Sequence, residues 1–192
     1  MRFLVVSLGN QPPYYNCLHS AGHFALSAAQ KLLAPAQPPF APKRYGGRSC
    51  KVSYAVPYTF IQSPKMMNIS GPFVLAVWRE MLQRHQLEPS ELALVLVHDE
   101  LEATLGDVRI RDWDASHRGH NGVKNVRESM ASLKVPRDHW CRISVGIGRP
   151  AERTPDVVSE YVLRKMTGHE INVMDMKVGP SVVRRLSELQ DR

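Results

Sequence analysis

The sequence predicts an α/β fold, specifically a three-layer α/β/α sandwich with a mixed, largely parallel central sheet. Short apolar runs typical of buried strands recur along the chain, and stretches with helical spacing lie between them. This alternation places helices on both faces of a sheet. With 192 residues the chain is long enough to bury a substantial core, and residues 1–192 are predicted to form a single domain.

The first half of the chain supplies two predicted strands and two predicted helices. Residues 3–8, FLVVSL, form a short apolar run closed by glycine and asparagine, which is typical of a buried strand. Residues 20–33 have helical spacing, and residues 50–57 alternate as a strand does. Residues 34–48 hold several prolines and two glycines, so an irregular loop is predicted there. Ser70 can cap a helix that runs to about residue 86.

The second half continues the alternation. An apolar strand is predicted over 91–99 and a more polar one over 107–113. A helix suits residues 121–133, and another strand suits residues 142–148. Two further helices are predicted over 156–166 and 168–189.

Composition limits the class of protein. Cys17, Cys50 and Cys141 are odd in number and widely spaced, which indicates reduced thiols in an intracellular protein and neither a disulfide framework nor a zinc site. No apolar run approaches a membrane-spanning length, and the apolar start lacks the features of a signal peptide. The formal charge of +7 is compatible with a polyanionic partner, but also with a basic enzyme that has none.

Polar residues gather where the predicted strands end. Asn10 follows the first strand, His98, Asp99 and Glu100 end a central one, and the loop 114–121 follows the next. Ligand sites of open α/β sheets lie at the carboxyl ends of strands. We therefore expect these groups to meet at one edge of the sheet.

The residue types suggest hydrolysis by activated water. His19 can accept a proton near neutral pH, and the carboxylate of Asp99 can orient it and stabilise the imidazolium. Asn10, Asn68 and Asn121 offer amides that can bind a carbonyl, an oxyanion or water. No nucleophile-elbow motif such as G-x-S-x-G is present, which favours water over a covalent nucleophile.

Each residue also has an ordinary structural explanation. Alone, His19 could be a helix-start histidine bonded to backbone, Asp99 a turn cap and Asn10 a turn residue. Histidines 98, 117 and 120 lack the spacing of a helical metal-binding pair, so no metal site is predicted. Spacing by itself reaches only an α/β hydrolase of unknown substrate.

The motifs together resemble a known family. LGN (8–10), Y-x4-H-S-A-G (14–22), M-N-x-S-G (67–71), H-D-E-L (98–101), R-G-H-N-G (118–122) and G-I-G-R-P (146–150) occur in one order. In this order they resemble the bacterial-type peptidyl-tRNA hydrolases, which also occur in eukaryotes and their organelles. The likeness runs from about residue 3 to residue 166.

The resemblance implies a specific reaction. Members of the family cleave the ester between a peptide and the 3′ ribose of tRNA without a cofactor or metal. His19 matches the general base, Asp99 the group that stabilises it, and Asn10 the asparagine that distinguishes blocked from free aminoacyl-tRNA. Substrate contacts are implied for Tyr14, Met66, Asn68 and Asn121, with His120 shaping the same crevice. The implied partner is peptidyl-tRNA, bound through its acceptor stem and 3′ CCA end. We expect the protein to be a monomer that binds neither DNA nor membrane and acts in the cytoplasm or the mitochondrial matrix.

The chain departs from the family pattern where tRNA phosphate is held. Asp112 and Ser144 stand where the family has basic residues. We expect Arg111, Arg118 or Arg142 to replace them, and we expect the loop before R-G-H-N-G to be stiffer than a glycine-rich one. Two other functions stay open: a non-catalytic RNA-binding relative of the same fold, and a hydrolase of small N-acyl esters.

Overall fold

The computed structural model of the protein describes all 192 residues. Its seven strands form one sheet in the order β2-β3-β4-β1-β5-β7-β6. The strands are β1 Arg2–Ser7, β2 Ala41–Tyr45, β3 Arg48–Tyr54, β4 Tyr58–Gln62, β5 Leu92–Glu100, β6 Val108–Asp112 and β7 Trp140–Gly146. The helices are α1 Ala21–Leu33, α2 Gly71–His85, α3 Asn121–Met130, α4 Pro155–Leu163, α5 Gly168–Val173 and α6 Gly179–Gln190, with a π-helical turn at Met174–Val178.

The centre of the sheet is parallel and its edges are antiparallel. Strands β4, β1, β5 and β7 run in one direction, while β2, β3 and β6 pair antiparallel to their neighbours. Residues 92–97 of the buried strand β5 form a continuous apolar run, as in parallel strands covered on both faces. The predicted three-layer sandwich with a mixed, largely parallel sheet is confirmed.

Each face of the sheet carries its own apolar core. On one face, α1 and α6 pack on the sheet through side chains such as Ala25, Leu26 and Leu186. On the other face, α2 and α3 cover it through side chains such as Phe73 and Val126. None of the helices combines the length and apolar character that crossing a bilayer demands.

The predicted loop at 34–48 is wrong in its second half. Ala41–Tyr45 is an edge strand, and it forms a hairpin with β3 through Gly46 and Gly47, whose φ angles are +55° and +70°. Positive φ at both central positions is what a tight hairpin turn requires, and glycine allows it. The prolines are tolerated because Pro42 lies in an edge strand, where a missing N–H need not cost a ladder bond.

Candidate active site

A crevice of about 600 Å³ opens at the edge of the sheet where β1 and β5 end. Its walls come from Asn10 in the segment after β1, the turns Leu18–Ser20 and Met67–Ile69, the end of β5, the loop 117–121 and helix α4. A separate cavity of about 380 Å³ at the start of β7 contains none of the predicted site residues. The polar groups that the sequence placed at strand ends therefore meet in one crevice.

Close packing of α1 brings His19 to the end of β5. A Cβ atom at Gly22 would lie 2.6 Å from the carbonyl oxygens of both Leu8 and Val97, so only glycine lets the helix start rest on the ends of β1 and β5. His19 lies in the 3-10 turn immediately before this helix, beside the buried Leu18. The ring of His19 is thus held against Asp99 on β5.

His19 and Asp99 form an imidazole–carboxylate pair. Nδ1 of His19 lies 2.9 Å from both Oδ1 and Oδ2 of Asp99. The Asp99 side chain is 3% exposed, whereas that of His19 is 20% exposed and faces the crevice. With Nδ1–H directed at the carboxylate, Nε2 carries the free lone pair, and no protein group bonds to it. This is the tautomer that a general base for water needs.

The pair stabilises the charged form of both groups. Burial alone would lower the pKa of His19, but the charge and hydrogen bond of Asp99 raise it above the ordinary value overall. Burial alone would raise the pKa of Asp99, but His19 and His120 hold it well below its usual range. Asp99 is therefore a permanent carboxylate that can stabilise an imidazolium at position 19.

His120 is a second donor to the same carboxylate. Its Nε2 lies 3.0 Å from Oδ1 of Asp99, and its Nδ1 accepts a hydrogen bond of 3.2 Å from the backbone N–H of Val123. This bond caps the start of α3 and leaves the ring proton on Nε2. His120 therefore ties the loop 117–121 and the N-terminus of α3 to Asp99.

His19, Asp99 and His120 also satisfy the simple proximity expected of a metal site, since one ligand atom from each lies within 4.8 Å of the others. The hydrogen bonds argue against that use. A metal on Nε2 of His120 would require both ring nitrogens to act as acceptors, because Nδ1 already accepts from Val123. The donor set fits proton transfer better than metal ligation.

A third imidazole, His98, lies beneath the pair. Its Nδ1 donates to the backbone oxygen of Asp99 at 2.7 Å, and its ring centroid is 5.1 Å from that of His120. Burial, helped by the nearby His120 and Arg142, lowers the pKa of His98 to about 3. The side chain is therefore neutral at physiological pH and helps fix the end of β5.

Asn10 is held in place by its own backbone and by the turn after β4. Its N–H donates to Oγ of Ser20 at 2.9 Å, and its side-chain Oδ1 accepts from the N–H of Met67 at 3.3 Å. The only contact of Nδ2 is a long one of 4.0 Å to Sγ of Cys17. The amide N–H of Asn10 thus remains available at the crevice wall. Met67, 1% exposed, was missed in this role because nothing in its sequence position marks it as more than apolar packing.

Four further predicted residues form the rim. Tyr14 and Met66 are 42% and 41% exposed, and Asn68 and Asn121 are exposed and make no side-chain hydrogen bond within the protein. All four line the crevice. Two amides and two apolar surfaces are therefore free for a ligand that enters.

Another wall of the crevice contains residues of helix α4 that the sequence did not indicate. Helix α4 contributes Val158, Ser159 and Leu163, and Arg149 pairs with Glu102 nearby. Arg149 lies in the G-I-G-R-P motif, so that motif could have identified it. The residues of α4 carry no comparable signal.

Arg142 was predicted to hold tRNA phosphate, and its place in the structure contradicts this. It is 2% exposed, and its Nη2 donates to the backbone oxygens of Asp112, Ala115 and Ser116. Arg127 donates to the oxygen of Ala115 as well. The guanidinium of Arg142 is committed to the loop before R-G-H-N-G, because Arg142 lies next to this loop on β7 and the loop's carbonyls need partners. These hydrogen bonds also fix the path of that loop, which a glycine-rich loop would lack.

Arg111 and Arg118 remain accessible. Arg111 is half-buried and its Nε donates to Oγ of Ser144 at 3.3 Å, so its guanidinium lies beside Ser144, where the resemblance implies a basic residue. Arg118 is exposed at the crevice rim, with a φ of +47° that belongs to the turn shared with Gly119.

Comparison with known proteins identifies the family of the chain. Residues 4–190 match the family model described as peptidyl-tRNA hydrolase. A probable peptidyl-tRNA hydrolase of Schizosaccharomyces pombe is 32% identical over 133 residues, which cover 69% of this chain and 61% of that protein. The peptidyl-tRNA hydrolase of Saccharomyces cerevisiae is 28% identical over 195 residues, covering 97% of this chain and 96% of that protein.

The fold has a solved counterpart. A crystal structure of peptidyl-tRNA hydrolase from Acinetobacter baumannii superposes with a TM-score of 0.69 and 22% identity, covering 99% of this chain and 93% of that chain. The family match spans nearly the whole chain, and the motifs that fall within it supply the residues of the crevice. The chain therefore belongs to the peptidyl-tRNA hydrolase family.

Proposed function

We propose that this protein hydrolyses the ester between the peptide and the 3′-terminal ribose of peptidyl-tRNA and so recycles tRNA. The observation that carries the proposal is the His19–Asp99 pair, which presents a free Nε2 lone pair to a crevice lined by asparagines. An ester is reactive enough for water assisted by a histidine, so no covalent nucleophile is needed. Membership of the family supports the same substrate.

The reaction follows from the geometry of the pair. Nε2 of His19 takes a proton from water while the water oxygen attacks the ester carbon. Asp99 stabilises the imidazolium that forms, because its carboxylate already accepts the Nδ1–H at 2.9 Å. When the tetrahedral intermediate collapses, the bond to the ribose 3′ oxygen breaks and that oxygen takes the proton back from His19. The products are the peptide acid and tRNA with a free 3′ hydroxyl.

The remaining crevice residues bind and position. Asn10 offers its Nδ2–H beside the reacting carbonyl, where an added N-terminal acyl group can be distinguished from a free amine. Asn68 and Asn121 bind the polar groups of peptide or ribose, and Tyr14 and Met66 pack against them. His120 acts through Asp99 as a positioning residue.

Arg111 and Arg118 are the arginines that we assign to phosphates near the acceptor end. Both have guanidinium nitrogens without a carboxylate partner, and Arg118 lies on the crevice rim itself. Action as a monomer, a single domain over 1–192 and a location in the cytoplasm or the mitochondrial matrix stay predictions from the sequence.

The test compares an N-acetyl-aminoacyl-tRNA with the unblocked aminoacyl-tRNA. We expect wild type to cleave only the blocked substrate. His19→Ala should lower turnover by about 10²- to 10⁴-fold, which is what a placed base typically contributes, while deacylated tRNA still binds. His169→Ala is a matched control, because His169 is exposed on α5 and outside the crevice.

The two alternative functions predict other outcomes. A non-catalytic RNA-binding protein would bind tRNA and cleave neither substrate, although the intact His19–Asp99 pair speaks against it. A hydrolase of small N-acyl esters would cleave without tRNA, and its rate would not fall with added salt as a phosphate-dependent rate does. Normal turnover by His19→Ala would refute the proposed base.

A further inference from the structure

The positive charge of this chain is unevenly distributed. Residues 1–79 contain eight Lys and Arg and not one Asp or Glu, whereas residues 80–192 contain 17 Lys and Arg and all 18 Asp and Glu. The first 79 residues therefore carry the whole net positive charge. This imbalance indicates that residues 1–79 contribute exposed cations that have no acidic partner.

The β2–β3 hairpin displays several of these cations, with Arg44 and Lys51 on one face and Lys43 and Arg48 on the other. Lys43, Arg44, Arg48 and Lys51 are all exposed, and we call these four residues the basic hairpin. None of them forms an ion pair within the protein. Seven arginines elsewhere do pair with carboxylates, namely Arg84, Arg109, Arg127, Arg149, Arg164, Arg184 and Arg185. The charge of the basic hairpin is thus uncompensated.

The strand register places the basic hairpin beside the crevice. Lys51 pairs with Gln62 on β4, and Gln62 pairs with Ser7 on β1. From that row β3 leads back to Arg48 and the hairpin tip, and the chain beyond β1 leads to Asn10, so that both reach the same edge of the sheet. Since neighbouring strands lie about 4.8 Å apart, the side of the hairpin is only about 10 Å from β1.

A wall of polar and aromatic residues connects the basic hairpin with the crevice. Nζ of Lys51 lies 3.3 Å from Oη of Tyr15 and 4.6 Å from the centre of its ring, while the preceding residue, Tyr14, lines the crevice. Between the hairpin and this wall is a cavity of about 470 Å³ that Gln11 and Asn16 also line. Cations stacked on aromatic rings beside amide groups are suited to nucleic-acid backbone and bases.

We propose that the basic hairpin binds the phosphate backbone of the substrate's tRNA while the 3′ end lies in the crevice. This inference rests on the proposed function, since it takes peptidyl-tRNA as the substrate. The nascent peptide would be the other possible occupant, but its charge differs from one substrate to the next. Phosphates are present in every substrate, so fixed and unpaired positive charge matches RNA.

The test neutralises Arg44 and Arg48, whose guanidinium groups form no hydrogen bond or ion pair within the protein. Arg44→Gln with Arg48→Gln should raise KM for full-length N-acetyl-aminoacyl-tRNA roughly ten-fold and leave kcat unchanged. The slope of log KM against log salt should fall by roughly two, one for each lost phosphate contact. Cleavage of an N-acetyl-aminoacyl ester of adenosine, which has no stem, should not change.

The matched control is Lys134→Gln with Lys177→Gln. Both lysines are exposed and unpaired, and the change in net charge is the same. An equal rise of KM in this control would show an effect of overall charge and overturn the proposal. A rise that appears only with acidic peptides, and vanishes with neutral ones, would assign the surface to the peptide and overturn it too.

Binding separates this proposal from the proposed function. Fluorescence anisotropy with deacylated tRNA needs no catalysis, so the hairpin variant should bind more weakly even if wild type cleaved no ester. Unchanged tRNA affinity in the hairpin variant, with wild type fully active on blocked substrate, would leave the function standing and refute the hairpin surface alone.

Discussion

Replacing Asp99 by asparagine should do more than remove a charge, because the structure dictates how the new amide turns. Nδ1 of His120 accepts from the N–H of Val123, so the Nε2–H of His120 must donate to an oxygen at the position of Oδ1. The amide nitrogen of the new side chain then takes the place of Oδ2, 2.9 Å from Nδ1 of His19. Because this nitrogen is as close to Nδ1 as the retained oxygen is, its N–H favours an unprotonated Nδ1 and shifts the ring proton of His19 toward Nε2, where the base needs its lone pair.

The size of the effect has two parts. A hydrogen bond to a charged group contributes about 1.5–3 kcal/mol, so losing the Asp99 carboxylate costs about 10- to 150-fold in the rate. The wrong tautomer of His19 adds to this in Asp99→Asn and not in Asp99→Ala, which leaves the ring free to choose. We therefore expect Asp99→Asn to be at least as impaired as Asp99→Ala, although asparagine is the closer match in shape.

Single-turnover rates on N-acetyl-aminoacyl-tRNA across pH are the assay. The carboxylate raises the pKa of His19, so its loss should move the acidic limb of the rate profile to lower pH in both variants. Asp175→Asn is the control, since Asp175 is exposed and pairs only with Lys31. A variant Asp99→Asn that is faster than Asp99→Ala, or an unshifted acidic limb, would refute the reasoning.

Two further predictions concern stability. Arg142→Met should lower the free energy of unfolding by about 1–3 kcal/mol, because three carbonyls of the loop before R-G-H-N-G lose a donor, whereas Arg118→Met at the start of that motif should change it little. Urea unfolding measures both, and equal stabilities would contradict the anchoring role. Stability should also fall with acid, because burial lowers the pKa of His23 and of His98 to about 3, while the unfolded chain protonates them below about 6.5. The loss should therefore run between these values, and His23→Gln should make it shallower; an unchanged slope would contradict the assignment.

The sequence predicts the centre of the fold better than its edge. Strands β1, β5 and β7 are apolar runs. Such runs need to be buried on both faces, and only the centre of the sheet provides this. Strand β2 was missed because prolines and glycines usually mark loops, whereas an edge strand and a tight hairpin accept them. Strand β4 was missed as well, because it is only five residues long and follows directly on Pro57.

The candidate site shows a similar division. His19, Asp99 and Asn10 could be identified because each lies at a strand end or helix start and belongs to a motif. The roles of the other residues depend on which side chains are buried, and burial depends on contacts between segments that are distant in the sequence. Arg142 illustrates this, since nothing in its sequence position shows that it faces loop carbonyls and not solvent. The cap that His120 provides for α3 was hidden for the same reason.

The open edge of the sheet gives the basic hairpin a second consequence. Strand β2 ends the strand order, so its outer N–H and C=O groups have no partner and could pair with another chain. Pro42 removes one donor from this strand, and Lys43 and Arg44 repel a second copy brought alongside. The cations that we assign to RNA binding thus also oppose self-association of the protein. Charge reversal to glutamate should weaken RNA binding yet keep the edge protected, whereas removal of all four charges should favour aggregation.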